Sequence, residues 1–120
     1  MDFITGGAYQ GTLDFAREQF ALRDDEIFTC AEDSEPDWSM RCIVHMERYV
    51  YYCLKNGALP EMRCRADAVL LGDDIFCGVV PIDPEQRAWR EECGRFYGQL
   101  SRRAETVTRL FCGLPLRLKG

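Results

Sequence analysis

Apolar positions along this chain change their period several times, and each change marks an element. Phe3-Ile4-Thr5 is a short apolar run, broken at once by Gly6-Gly7-Ala8-Tyr9-Gln10-Gly11, which predicts a strand that enters a glycine-rich turn. From Thr12 to about residue 22, Leu13, Phe15, Ala16 and Phe20 recur on one face at the 3.6-residue period of a helix. Residues 26–30 predict a second strand. Residues 31–37, rich in acids and holding Ser34 and Pro36, predict a loop. Residues 38–56 have apolar side chains at 38, 42, 43, 46, 50, 53 and 54, a helical stripe, and Gly57 stands just past its end as a C-terminal cap.

In the second half, residues 66–71 predict a short strand, followed by an acidic turn, Gly72-Asp73-Asp74. Asp83-Pro84-Glu85-Gln86 is a helix start. Asp83 is expected to accept the N–H of Gln86, Pro84 fits the first helical position, and Gln86 can reach back as in a capping box. The helix behind it has Trp89, Cys93, Phe96, Tyr97, Leu100 and Ala104 on one face. Residues 106–112 alternate and are β-branched or aromatic, so they predict a strand, with a last short one at 116–118. Strands that alternate with helices predict an α/β fold with a mostly parallel sheet and right-handed crossovers. With no linker or repeat, residues 1–120 are expected to form one domain.

Composition narrows the function. The chain has 120 residues, 47% hydrophobic and 29% charged, the balance of a folded protein rather than a disordered one. Fifteen basic residues against twenty acidic ones leave a net charge of −5. A general nucleic-acid binder needs a basic face, so no nucleic-acid partner is expected. No apolar run approaches the ~20 residues of a membrane span, and residues 1–5 have no signal-peptide pattern; the expected location is the cytoplasm, with no membrane partner. Seven cysteines occur at 30, 42, 53, 64, 77, 93 and 112, without a Cys-x-x-Cys pair, and are expected to be buried reduced thiols. His45 is the single histidine. It cannot complete a multi-histidine metal site, so no metal ligand is assigned, and it reads as a satisfied or solvent-facing helical residue.

The glycine turn carries the candidate chemistry. A strand, a glycine-rich turn and a helix bring several backbone N–H groups onto one anion. Gly6, Gly7, Ala8, Tyr9, Gln10, Gly11 and Thr12 form the G-x-x-x-x-G frame of a phosphate-binding loop. The next two positions should be a lysine, which neutralises the β/γ-phosphates, and a hydroxyl, which binds magnesium. Here they are Thr12 and Leu13. Two readings stay open: a phosphate-binding loop, and a tight strand-to-helix turn.

The C-terminal half adds a resemblance. Gly78-Val79-Val80-Pro81, a capped helix with Arg87, Trp89, Arg90, Gly94 and Arg95, then Cys112-Gly113-Leu114-Pro115-Leu116-Arg117-Leu118-Lys119, resemble the bifunctional adenosylcobinamide kinase and adenosylcobinamide-phosphate guanylyltransferase family of cobalamin biosynthesis. Thr5-Gly6-Gly7-Ala8 and Gly11 also fit that family's loop. The resemblance implies a three-layer fold like that of the P-loop NTPases, reduced in size here. It also implies GTP or ATP with magnesium and a corrinoid as ligands, and a homo-oligomer.

The departures from the family are as informative. Thr12 and Leu13 replace its lysine and serine, and Arg41 stands where an acid precedes the family's strand-end cysteine, matched here by Cys42. Asp73 and Asp74 stand where it has Asn-Glu; Asp74 keeps the carboxylate and is the candidate catalytic residue. The family's guanylylated histidine segment has no counterpart, and its role is not transferred to His45. The expected function is therefore a degenerate, non-catalytic member that binds nucleotide or corrinoid, or partners an active paralogue. The alternatives are an active adenosylcobinamide kinase, with Arg17 or Arg23 as a substitute cation, and an interaction module that keeps only the fold. The arginines of the last helix read as a solvated face, and exposure of Trp89 or Phe96 would favour an interface.

Overall fold

The structure is a computed structural model that describes residues 1–76 and 82–120; the Gly78, Val79, Val80 and Pro81 stretch of the resemblance lies outside the described residues. In chain order the elements are β1 (Asp2–Gly6), α1 (Thr12–Phe20), a single 3-10 turn (Asp24–Glu26), β2 (Ile27–Thr29), β3 (Cys42–Val44), α2 (Met46–Lys55), β4 (Val69–Asp73), α3 (Pro84–Arg103), β5 (Thr106–Phe111) and β6 (Leu114–Lys119). They build a six-stranded sheet in the order β2-β3-β4-β1-β5-β6. The first five strands are parallel, and β6 returns antiparallel along β5. The α/β class with a mostly parallel sheet is as the alternation of periods predicts.

Both faces of the sheet are covered, which is why its inner strands read as apolar runs rather than alternating ones. Ile4, Val44, Val69, Leu71 and Leu110 pack under α1 through Ala16, Leu13, Phe15 and Phe20. On the opposite face, Phe3, Ile43, Leu70 and Val107 meet α2 and α3 through Met46, Tyr49, Val50, Cys93, Phe96 and Leu100. Each such fully buried large side chain contributes roughly 1.5–3 kcal/mol. Tyr49 organises this second layer: its ring lies edge-on to Trp38 and Phe96 at 5.1 and 5.9 Å. Its hydroxyl donates to the Glu61 carbonyl at 3.2 Å and accepts the Glu61 N–H at 3.0 Å.

One expected helix is corrected. Residues 38–56 are not one helix: 42–44 form β3, and only Met46–Lys55 is helical. Cys42, Ile43 and Val44 are consecutive and all buried, a run that a helix would have to spread around its circumference. His45 ends it with φ +66° and starts α2 from a left-handed conformation. At the head of α3 the Asp83 carboxylate accepts from the Glu85 N–H at 3.0 Å, not from Gln86. Gly72 and Asp73 belong to β4 rather than to a turn. Gly57 has φ +66°, as a C-terminal cap after α2 requires. Cys112 and Gly113, at φ +51° and +75°, make the two-residue turn of the β5–β6 hairpin.

The wiring opens a crevice at one end of the sheet. From β1 the chain crosses through α1 to β2, on one face. From β4, its neighbour, it crosses through α3 on the other face and passes β1 to reach β5. Two adjacent parallel strands thus send their connections in opposite directions, which opens a crevice at their carboxyl ends.

Candidate functional site

That crevice holds a cavity of about 420 Å³, walled by Gly7, Ala8, Tyr9, Gly11, Thr12, Leu13 and Asp14 on one side and by Val44, His45, Arg48 and Asp73 on the other. The glycine loop therefore faces the ends of β3 and β4. Gly6 ends β1 so close to β5 that a Cβ there would lie 2.8 Å from the Leu110 carbonyl oxygen. Gly11 has φ +83°, a conformation open to glycine at little cost, and as N-cap it gives α1 no side-chain hydrogen bond. Gln10 turns away from the cavity, where its side-chain carbonyl accepts the Cys112 N–H and ties the loop to the β5–β6 turn. Tyr9 is fully exposed at φ +62°.

Thr12 and Leu13 line the cavity, so the two positions that follow Gly11 face the crevice. Arg48 lines its far wall and donates to the Cys30 carbonyl at 3.2 Å. Asp14, in the first turn of α1, puts a negative charge beside any anion bound there. Arg17 and Arg23 are engaged elsewhere, with Asp24 at 3.2 Å and Asp25 at 3.1 Å.

Three titratable side chains meet at the far wall, His45 and Asp73 on it and Glu47 buried behind it. The Nδ1 of His45 lies 2.9 Å from Glu47 Oε2 and 3.6 Å from Asp73 Oδ2. Glu47 is buried, and its Oε1 accepts the Asp73 N–H at 2.9 Å. The Trp89 indole N–H donates to the Glu47 carbonyl at 2.8 Å, and the Tyr97 hydroxyl donates to the Asp73 carbonyl at 2.9 Å. The hydrogen bond to Glu47 raises His45 above the ordinary histidine value against the opposing effect of burial. Burial works against the charge of Glu47, yet its bonds to His45 and the Asp73 N–H outweigh it and the carboxyl is held low. Asp73 is pushed up, by burial first and by the Glu47 charge second.

Asp74, the carboxylate singled out in the sequence, does not line this cavity. Its N–H donates to the Gly6 carbonyl at 2.8 Å, and its side chain accepts from the Phe76 N–H at 3.0 Å and lies 3.5 Å from Arg109. Arg41 donates to the Phe20 carbonyl at 3.1 Å on the rim behind β3. Phe96 is core, and Trp89 is half-buried. Of the cysteines, 30, 42, 53 and 93 are buried thiols, Cys64 is half-buried, Cys112 is exposed, and Cys77 lies outside the described residues.

Asp73 went unseen as a partner of His45 and Glu47 because the pairing of β3 with β4 brings it to them, and β3 was hidden inside the expected helix. Had Cys42-Ile43-Val44 been read as a strand parallel to 69–73, the residues just past both strand ends would have stood side by side. Compared with known protein families and with curated proteins, the chain matches no family model and no curated sequence. No helix among the described residues is long and apolar enough to cross a membrane.

Proposed function

We propose that this chain is a degenerate relative of the adenosylcobinamide kinases that binds the phosphate groups of GTP or ATP at Gly6–Thr12 and does not transfer them. The observation that supports it is the position of the loop. It leaves the sheet at the switch point between β1 and β4 and faces a cavity large enough for a triphosphate and sugar. Backbone N–H groups at the head of α1 are the anion donors, and Arg48 supplies positive charge from across the cavity. Magnesium would lose its usual partner at the loop: Leu13 offers it no oxygen where the family has a hydroxyl. Phosphoryl transfer depends on positioning and charge, and Thr12 brings no charge.

The resemblance further supports a corrinoid as second ligand and association with further copies or with an active paralogue. Phe111, Leu114, Leu116 and Leu118 on the β5–β6 hairpin are exposed apolar residues that such a contact would bury. Sedimentation of the purified chain, alone and with a paralogue, checks that part.

Isothermal titration with GTP and ATP, each with and without magnesium, tests the central reading. Binding of similar strength in both conditions, with no phosphate released, is the expected result. No heat at high ligand concentration would reduce the loop to a turn, and magnesium-dependent phosphate release above buffer would restore the active kinase.

A further inference from the structure

We propose that His45, Glu47 and Asp73 form a binding site for a first-row divalent metal ion such as Mn²⁺ or Zn²⁺, formed by the protein without help from nucleotide. One imidazole nitrogen and two carboxylate oxygens, one from each residue, all lie within 4.8 Å of one another. Two metal–ligand bonds of about 2.1 Å put their donor atoms roughly 3.0 Å apart at a right angle and roughly 3.4 Å apart at the tetrahedral angle. The observed 2.9 and 3.6 Å separations from His45 Nδ1 bracket that range.

The donor types choose the class of ion. An imidazole beside two carboxylates suits zinc, manganese or iron, whereas magnesium and calcium prefer oxygen alone. Two carboxylates and a neutral imidazole balance a charge of +2. Arg48, the cation that lines this cavity, donates to the Cys30 carbonyl and keeps its positive charge, so the two carboxylates must outweigh it. The ligands are also oriented from behind. Trp89 holds the Glu47 backbone and Tyr97 holds the Asp73 backbone, the second layer of contacts that metal sites use to fix their ligands. His45 and Asp73 border the cavity, so three protein ligands would leave coordination positions open to water or to an oxygen of a bound molecule.

The site does not depend on the nucleotide reading, and the test separates the two. The purified protein is stripped with a chelator and titrated with MnCl₂ in the absence of nucleotide, with free Mn²⁺ followed by its paramagnetic resonance signal. Manganese avoids the cysteines, which would compete for zinc. One equivalent is expected to bind, and Asp73→Asn and His45→Asn are each expected to weaken it at least tenfold. Asparagine tolerates the left-handed backbone at position 45. Thermal unfolding of each variant shows that it is folded, and the second variant decides if one is not. Absence of a stoichiometric site in the parent protein, or unchanged affinity in a folded variant, would overturn the proposal whatever the nucleotide titration shows.

Discussion

The ring of Tyr97 stands where a side chain at Gly72 would have to begin: a Cβ at position 72 would lie 2.3 Å from the phenol oxygen. That close approach lets α3 settle onto β4 and brings the same hydroxyl within 2.9 Å of the Asp73 carbonyl. The helix thereby holds the strand end that presents Asp73 to the cavity.

Gly72→Ala should therefore destabilise the protein by about 1–3 kcal/mol, since the buried Tyr97 ring would have to shift. Tyr97→Phe keeps the packing and removes one hydrogen bond, with an expected loss of about 1 kcal/mol. Urea unfolding of both variants checks the order. A Gly72→Ala protein as stable as the parent would show that the ring is not fixed there.

The His45–Glu47 pair predicts a definite pH response. His45 titrates above its ordinary value in the folded state. Its stabilising contribution is thus fully present below the unfolded value and is lost as pH rises through the raised folded one. Glu47, held low, contributes above its unfolded value and loses that contribution as pH falls through the folded one. Asp73 has the opposite sign from Glu47, because its raised value favours the protonated folded form. The stability gap between the parent and His45→Asn should accordingly be wider at about pH 6 than at about pH 9. Denaturant midpoints at the two pH values measure it, and an equal gap would mean that the pair does not exist in solution.

Restoring the missing loop chemistry is a third experiment. Thr12 and Leu13 both face the cavity, so T12K with L13S would place an ammonium and a hydroxyl at the head of α1. A hydrogen bond to a charged group contributes roughly 1.5–3 kcal/mol, or about 10- to 100-fold in affinity. GTP or ATP should bind the double variant that much more tightly. Calorimetry on parent and variant reads the change, and equal affinities would argue that no phosphate reaches the loop.

Thiol reactivity gives a fourth prediction. Burial pushes the Cys30 and Cys42 thiols up to about 12, while Cys112 lies exposed in the hairpin turn. Reactive thiolate is scarce at the first two. An Ellman titration of the native protein should have a fast phase that loses one equivalent in Cys112→Ser, while Cys30 and Cys42 react only on unfolding. A fast phase unchanged by that substitution would contradict the burial pattern.

Much of this architecture was legible in the order of residues. Phe3-Ile4-Thr5 running into glycines announced β1 and its loop, the stripe from Leu13 to Phe20 announced α1, and the Asp83-Pro84 start announced α3. What stayed hidden was short and buried. Three consecutive apolar residues, 42–44, fit a central strand and a helical stripe equally well, and the apolar positions on either side extended the stripe in both directions. The true boundary is a backbone conformation at His45 that no side-chain pattern signals. The candidate cation site fell with it, because residues 45 and 47 meet 73 only across a strand pairing. By contrast, the glycine loop was readable because its geometry is local.

The central position of β1 also sets the order of assembly. It is the first strand in the chain, yet its two neighbours are β4 and β5, and Thr106 closes on Asp2 across a separation of 104 residues. Until those distant segments arrive, both edges of β1 present unpaired amides beside Phe3 and Ile4, the kind of template on which chains pair wrongly with one another. During synthesis the segment that becomes the middle of the sheet must wait until β5 has been made. Refolding yield should therefore fall with protein concentration more steeply than overall stability alone would suggest.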